Sequence, residues 1–195
     1  MKAEEILRKY GLGTQLSHQE FLQQLHRLPL FREKWLYWTS TTKHLLQGDI
    51  VGPIQLVLSS KNNRHGLLEV NAIVVSNTCN LVPIQEDFAL LAPVVTISEH
   101  IRPRKKPEDV WKQHLLAIRK FEIIPYCYLP KIEGLEESFA DFSRITHIPT
   151  ISLSNMLSDG KVSRIASLSR KGHLLFLSKL TYFLARLESK EVSRL

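Results

Sequence analysis

The sequence is poor in the residues that cross-link a small fold through covalent bonds or metals. It contains two cysteines, Cys79 and Cys127, which are too few for a disulfide framework or for a zinc site built from cysteine alone. Its eight histidines lack the i,i+3 or i,i+4 spacing that places two metal ligands on one helix face. We therefore expect no metal and no other cofactor.

Long apolar runs and common catalytic motifs are also missing. No run approaches the roughly 20 apolar residues that cross a bilayer, and the opening MKAEEILRKYGLG lacks the apolar stretch of a signal peptide. These absences favour a cytoplasmic protein with no membrane partner. The chain has no P-loop, glycine-rich dinucleotide turn, GxSxG or HExxH motif, so the standard nucleotide-binding, hydrolase and metalloprotease classes receive no support.

The chain does carry a clear excess of positive charge. It has 26 Lys and Arg against 19 Asp and Glu, a formal net charge of +7 over 195 residues. Such an excess favours polyanionic partners, RNA or DNA, through long-range attraction and counterion release. The length suits one domain, and no linker or low-complexity segment interrupts it, so we interpret residues 1–195 as a single domain.

The order of helical and strand patterns indicates an α+β fold. Residues 1–47 have helical spacing, including a capping box at Ser17–Glu20 and large rings continuing to Trp35 and Trp38. Residues 48–168 carry strand patterns around a helical insertion at 102–120, and 170–188 carry the apolar repeat of a C-terminal amphipathic helix. The predicted strands are Ile50–Leu58, Leu67–Val75, Phe88–Ile97, Glu122–Leu129, Ser138–Ile145, Thr150–Leu157 and Val162–Ser167.

Short connections between these strands predict a small, strongly curved antiparallel β-barrel on which the C-terminal helix packs. Gly52-Pro53 permits a bend or bulge in the first strand. The C-terminal helix has more apolar residues than one stripe can bury, and the surplus predicts a two-fold homodimer. The stripe is Leu174, Leu177, Leu180 and Leu184, and the surplus is Leu175, Phe176, Tyr182 and Phe183.

The strongest surface feature is Arg102–Lys106, called the basic connector below, with four cations in five residues. Like charges at this spacing are excluded from a core, so the connector is expected to be exposed. It is either a solvated loop or an arm that contacts phosphates. In the second case the nucleic-acid-binding residues are Arg102, Arg104, Lys105 and Lys106, with Lys112, Arg119 and Lys120 of the following helix.

A polar segment, Ser76–Asn80, directly follows a predicted strand, which is a position where functional side chains often lie. Its asparagines equally suit a turn in which they bond their own backbone. Cys79 within it is a candidate nucleophile if a base lies nearby, and otherwise a buried structural thiol.

Three segments in sequence order resemble a known family. Gly48-Asp49-Ile50-Val51 is similar to its opening Gly-Asp-Ile/Val, Ala72–Asn77 to its "PVLVIQN" strand, and Ala89–Thr96 to its apolar strand ending in "PIT". The family is the MazF/PemK-like toxins, small barrels related to SH3 folds, and the resemblance spans about residues 47–100 and 148–188. It implies a dimer and a toxin–antitoxin or prokaryotic defence context, with an inhibitor or defence-system protein as partner.

The departures from the family pattern concern its chemistry. The family's arginine before the "PVLV" strand and the threonine ending the next strand are implied in RNA cleavage. Here Val70 or Asn71 takes the arginine position, and Thr96 lies one residue beyond the threonine position. A shift of one residue along a strand turns the side chain to the opposite face of the sheet. We therefore expect nucleic-acid binding with weak or no endoribonuclease activity. The alternatives are a protein-interaction module and an active, metal-independent endoribonuclease using Asp49, Arg64, His65, Thr78 or Thr96.

Overall fold

The computed structural model describes residues 36–38, 42, 44–59, 65–81, 87–100 and 107–185. The helices predicted before residue 36, Arg64 and the basic connector lie outside these ranges. The strands are β1 (Tyr37–Trp38), β2 (Ile50–Ser59), β3 (His65–Val74), β4 (Phe88–Thr96), β5 (Tyr126–Leu129), β6 (Ser138–Asp141), β7 (Thr146–Pro149) and β8 (Ser163–Leu168). The helices are α1 (Thr78–Leu81), α2 (Glu108–Arg119), α3 (Thr150–Ser158) and α4 (Arg170–Ala185), with a 3-10 turn at Phe142–Arg144.

The strands form one sheet in which every described pairing is antiparallel, in the order β1–β8–β2–β3–β4–β6–β5 with β7 also paired to β4. This confirms the α+β class and the antiparallel sheet. A hydrogen bond from Thr146 Oγ1 to Val57 O, 3.5 Å long, links β7 to β2, but no backbone ladder joins these strands in the described residues. Closure into a barrel therefore stays a prediction.

A bulge lies where the sequence predicts one. The register between β2 and β3 shifts between Val51 and Ile54, across Gly52-Pro53. A Cβ at Gly52 would lie 2.2 Å from Asn71 Oδ1 and 3.0 Å from Asn71 Cα, so the two strands approach too closely for a side chain at this position.

The central strands separate two cores, because neighbouring side chains along a strand point to opposite faces. On β3, Ala72 and Val74 enter an aliphatic core with Leu56, Leu91 and Leu153. The next residues along the strand face a second core, which is rich in aromatic rings. This aromatic core contains Ile73, Val75, Phe121, Phe139, Phe142 and Phe176.

Two predicted elements are wrong. Thr150–Leu157, predicted as a strand, lies within helix α3, which buries Thr150 and Leu153. Its alternating Ile151 and Leu153 mimic a strand, but a short apolar run cannot be assigned by periodicity alone. Tyr37–Trp38, predicted to be helical, is strand β1, paired with Leu168 and Ser167 of β8.

Helix α4 confirms the C-terminal helix but not its predicted stripe. Its buried positions include Leu175, Phe176, Lys179 and Leu180, whereas Leu184 is 66% exposed. Phe176 packs edge-on against Phe142 at 5.6 Å between ring centroids. Leu175 and Phe176 are therefore core residues, not a surplus, and the homodimer stays a prediction without that support.

A buried cation lies among these core positions of α4. Lys179 is fully buried, and its Nζ donates to the carbonyl oxygen of Phe121 at 2.5 Å. Phe121 has φ of 60°, a left-handed conformation just beyond the end of α2. The ammonium group thus satisfies a carbonyl at a helix end.

Candidate functional site: a histidine–tryptophan cluster beside the basic connector

Asp49, the first catalytic candidate, is held in a buried ion pair. Gly48 before it has φ of 89°, and this left-handed turn directs the Asp49 carboxylate inward. Asp49 Oδ2 accepts from the Leu46 amide at 2.8 Å and lies 2.9 Å from Arg164 Nε. The other guanidinium nitrogens of Arg164 donate to the carbonyls of Thr42, at 2.7 Å, and His44.

These contacts leave Asp49 little capacity for chemistry. The residue is 1% exposed, so no substrate reaches its carboxylate. Burial raises the pKa of Asp49, and the neighbouring Ser167 hydroxyl, the Leu46 amide and Arg164 act in the opposite direction. The Gly48-Asp49 pair therefore joins the start of β2 to β8 as part of the fold.

Thr78, the second candidate, belongs to a hydrogen-bonded chain around Gln47. Its Oγ1 accepts from the Gln47 amide at 2.8 Å, and Gln47 Nε2 donates to Val75 O at 2.7 Å. Gln47 Oε1 must then be the acceptor toward His173 Nε2, 3.1 Å away, which fixes the proton of that ring on Nε2. Burial lowers the pKa of His173, so this imidazole is mainly neutral at pH 7.

The remaining catalytic candidates are not brought together in the described residues. Thr96 is half-buried at the end of β4, opposite Ser138 of β6. His65 begins β3 opposite Ser59, and Arg64 lies outside the described residues. Cys79 is exposed in α1, which contradicts the expectation of a buried thiol.

The predicted nucleic-acid-binding residues fall into two groups. Arg102, Arg104, Lys105 and Lys106 of the connector lie outside the described residues. On α2, Arg119 makes two hydrogen bonds to Glu137, at 2.7 and 2.8 Å, and this contact lowers the pKa of Glu137. Lys112 pairs with Glu108 at 3.0 Å on an open surface, and Lys120 is exposed at the end of α2.

A cluster of rings lies where the connector joins the described fold. His100 is the last described residue before the connector, and His114 projects from the second turn of α2. Their Nε2 atoms are 3.2 Å apart. Trp111 lies almost equally far from both imidazoles, at 5.0 and 5.1 Å between ring centroids and with planes tilted by 33° and 24°. We call His100, Trp111 and His114 the histidine–tryptophan cluster.

Two further rings support this cluster from the sheet. Tyr126 of β5 meets both imidazoles edge to face, at 6.1 and 6.5 Å, and Phe139 of β6 meets His100 at 5.0 Å. Tyr126 and Phe139 are themselves 4.4 Å apart. All three cluster residues remain half-buried, so their rings are held in place yet partly reachable from solvent.

Charge is distributed unevenly between this fold and the rest of the chain. The described residues carry slightly more acidic than basic side chains, although the whole chain has a net charge of +7. The positive excess therefore belongs to the remaining segments, of which the basic connector is the densest.

Sequence reasoning missed the cluster, because its histidines are 14 positions apart and show no metal-ligand spacing. The available signal was that His100 and Trp111 flank the connector on its two sides. In the described part of the chain, no group of three or more His, Cys, Asp or Glu side chains is placed to hold a metal ion. None of the described helices combines the length and apolar character of a membrane span.

Comparison with solved structures gives likenesses that are slight. No family model matches the chain, and no curated protein does. Among solved structures, it is similar to a crystal structure of MazE-MazF (Form-II) from Deinococcus radiodurans, with 12% identity and a TM-score of 0.38, over 73% of this chain and 97% of that one. A likeness at this level carries no argument about fold or function.

Proposed function

We propose that this protein binds RNA or DNA at a surface formed by the basic connector and the histidine–tryptophan cluster, and cleaves it weakly or not at all. The observation that carries this proposal is the position of the cluster at both ends of the connector. His100 lies two residues before the connector, and Trp111 donates its backbone amide to Pro107 O at 3.0 Å just after it. Cations and aromatic faces are therefore neighbours in one region.

This combination suits a nucleic-acid strand. Cations follow the phosphates, whereas an aromatic ring or imidazole stacks on an unpaired base, which contributes about 1–3 kcal/mol per base. Lys112, 71% exposed on the same helix as Trp111, adds a further cation, since its pairing with Glu108 on an open surface is easily exchanged. Single strands, whose bases are accessible, are the substrates this arrangement favours.

The contacts of Asp49 and Thr78 support the second half of the proposal, that the protein cleaves nucleic acid weakly or not at all. RNA cleavage requires a base for the 2′-hydroxyl and a cation for the phosphorane, both within reach of the strand. Asp49 is buried against Arg164, and Thr78 Oγ1 is hydrogen-bonded to Gln47. We propose that these residues serve the fold.

Toxin-related descent, with an inhibitor protein as partner, belongs to the proposal through the family-like segments of the sequence. A protein-interaction module is the second candidate, and the surface of β4 favours it. Phe88 and Leu90 lie on the same side of that strand, 51% and 43% exposed.

The test is fluorescence anisotropy of labelled single-stranded RNA, single-stranded DNA and duplex DNA over a salt series. Replacing Arg102, Arg104, Lys105 and Lys106 together by alanine should weaken binding to all sequences alike. The log–log salt slope should fall by up to about 3 on single strands, because each phosphate contact releases about 0.7 counterion. Cleavage assays on unlabelled RNA, run without added metal, should show little product.

A matched pair of double variants controls for net charge. Lys105→Ala/Lys106→Ala removes two connector cations, whereas Lys131→Ala/Lys161→Ala removes two exposed lysines paired with Glu136 and Asp159 elsewhere. The first should lower the salt slope and the second should leave it nearly unchanged. Equal changes in the salt slope of the two variants would mean that the connector is only a solvated loop. If the parent protein binds no nucleic acid, the protein-interaction module becomes the favoured function.

A further inference from the structure

The two imidazoles of the cluster meet nitrogen to nitrogen. Their ring centroids are 5.4 Å apart, and their Nε2 atoms are 3.2 Å apart. These separations differ by about the width of one imidazole ring, so both Nε2 atoms lie close to the line between the ring centres. The planes are tilted by only 29°. The rings are therefore joined edge to edge, as in an N–H···N hydrogen bond.

Such a bond restricts how many protons the pair can hold. One Nε2 must carry a proton and the other must offer its lone pair. The pair can take up one further proton and keep the bond, which then becomes charge-assisted. A second further proton would set two N–H groups against each other at 3.2 Å and break the contact.

We propose that His100 and His114 act as one proton-binding unit that adds a single positive charge beside the basic connector, so that nucleic-acid binding strengthens as the pH falls. The first part concerns the pair alone, and the second rests on the proposed function. Imidazoles titrate near neutral pH, where the neighbouring lysines and arginines stay charged.

The rings that pack against the pair are uncharged, and the charged residues near it adjoin it along the chain. From α2 the pair meets the uncharged Trp111, and from β6 the uncharged Phe139. From β5 it meets Tyr126, whose pKa is raised by burial and then by Asp141, against Arg144, so the phenol stays neutral. Glu99 and the connector cations adjoin His100 along the chain, and Lys112 with Glu108 lies on α2.

The first experiment is an NMR titration of the imidazole resonances in the absence of nucleic acid, from about pH 5 to 8. In the parent, His100 and His114 should together take up about one proton, with both sets of resonances moving in the same transition. In His114→Phe, which keeps a ring against Trp111, His100 should take up a full proton alone. His100→Phe gives the reciprocal test should the first variant fail to fold. Independent uptake of a full proton by each ring in the parent would overturn the proposal.

The second experiment measures affinity for a single-stranded oligonucleotide at the same pH values and constant salt. One linked proton should raise the affinity by up to about tenfold per pH unit within the transition. The dependence should be lost in the double variant His100→Phe/His114→Phe and kept in His147→Phe, a control on β7 outside the cluster. A pH-independent affinity in the parent would refute the linkage. No binding at any pH would refute the proposed function, while the NMR titration still decides the pair.

Discussion

Two pairs of polar residues in this protein join distant parts of the chain, one inside the fold and one at its surface. Asp49 and Arg164 meet inside the fold, where Asp49 is 1% exposed and Arg164 also binds two backbone carbonyls. His100 and His114 meet at its surface, half-buried beside Trp111. Asp49 of the first pair lies in the motif-like segment Gly48–Val51, whereas neither histidine of the second pair lies in a motif.

The comparison shows why residue type alone is a poor guide to function here. A carboxylate that is buried beside a guanidinium, with one oxygen accepting from an amide, belongs to the fold and has no access to a substrate. The imidazole pair is half-buried and stays partly reachable from solvent. We therefore propose a structural role for Asp49 and a binding role for the cluster, and the following predictions test that division.

The largest effect is expected from Asp49→Asn. It leaves the Arg164 guanidinium facing a neutral amide, and breaking a fully buried pair costs about 3–5 kcal/mol. Arg164 keeps 18% exposure and two carbonyl bonds, and the substitution also removes the cost of burying the Asp49 charge, so we expect a smaller loss of about 2 kcal/mol in the free energy of unfolding. Urea denaturation measures it. Glu108→Gln, which breaks the exposed pair with Lys112, should cost at most about 1 kcal/mol.

Asp49 should also contribute a pH dependence of defined sign. Because its pKa is raised by burial, the folded protein holds this proton up to a higher pH than the unfolded chain does. Stability should therefore fall as the pH rises above the ordinary aspartate range toward the folded pKa, and Asp49→Asn should lack that fall. An unfolding free energy in Asp49→Asn equal to the parent's would mean that the pair is not structural.

A smaller effect is expected on binding from Trp111→Ala. Loss of one stacking platform should weaken binding to single-stranded RNA or DNA by about 1–3 kcal/mol. Trp111→Phe retains a ring and should restore most of that affinity, and duplex binding should change little in either variant. Anisotropy titrations measure these affinities. Equal losses on single strands and duplex would show that Trp111 only maintains the shape of α2.

Much of the fold follows from local patterns. Strands β2, β3, β4 and β8 lie close to the predicted ranges, because apolar runs between polar turns identify strands well. Helix α2 lies within the predicted insertion. The error at α3 arose where Leu153, Met156 and Leu157 fit a helix as well as Ile151 and Leu153 fit a strand, so the sequence pattern alone could not choose.

The sites were harder to predict, because each depends on residues far apart in sequence. Asp49 meets Arg164 through the pairing of β2 with β8, and His100 meets His114 because the chain returns along α2. Lys179 lies outside the predicted leucine stripe and is buried all the same, and only the structure shows that it donates to Phe121 O. Spacing rules detect ligands on one element and miss pairs assembled from two.

The smallest expected effect concerns Lys179, the second buried charge after the Asp49–Arg164 pair. Burial lowers the pKa of Lys179 from its ordinary 10.5 to about 8. Above pH 8 the folded protein therefore loses a proton that the unfolded chain still binds, so this residue makes stability rise with pH. Relative to Lys179→Met, the parent should gain about 1 kcal/mol in unfolding free energy between pH 8 and pH 9.

The measurement is urea unfolding of both proteins at pH 7, 8 and 9. It stops at pH 9 because burial raises the pKa of Cys127 to about 12, and that thiol makes stability fall with pH above its ordinary pKa of 9. Lys171→Met, at an exposed position of the same helix, is the matched control and should show no such difference. A constant difference between the parent and Lys179→Met across this range would mean that Lys179 stays charged in the core. Lys179 would then resemble Arg164, as a permanent cation held by the fold.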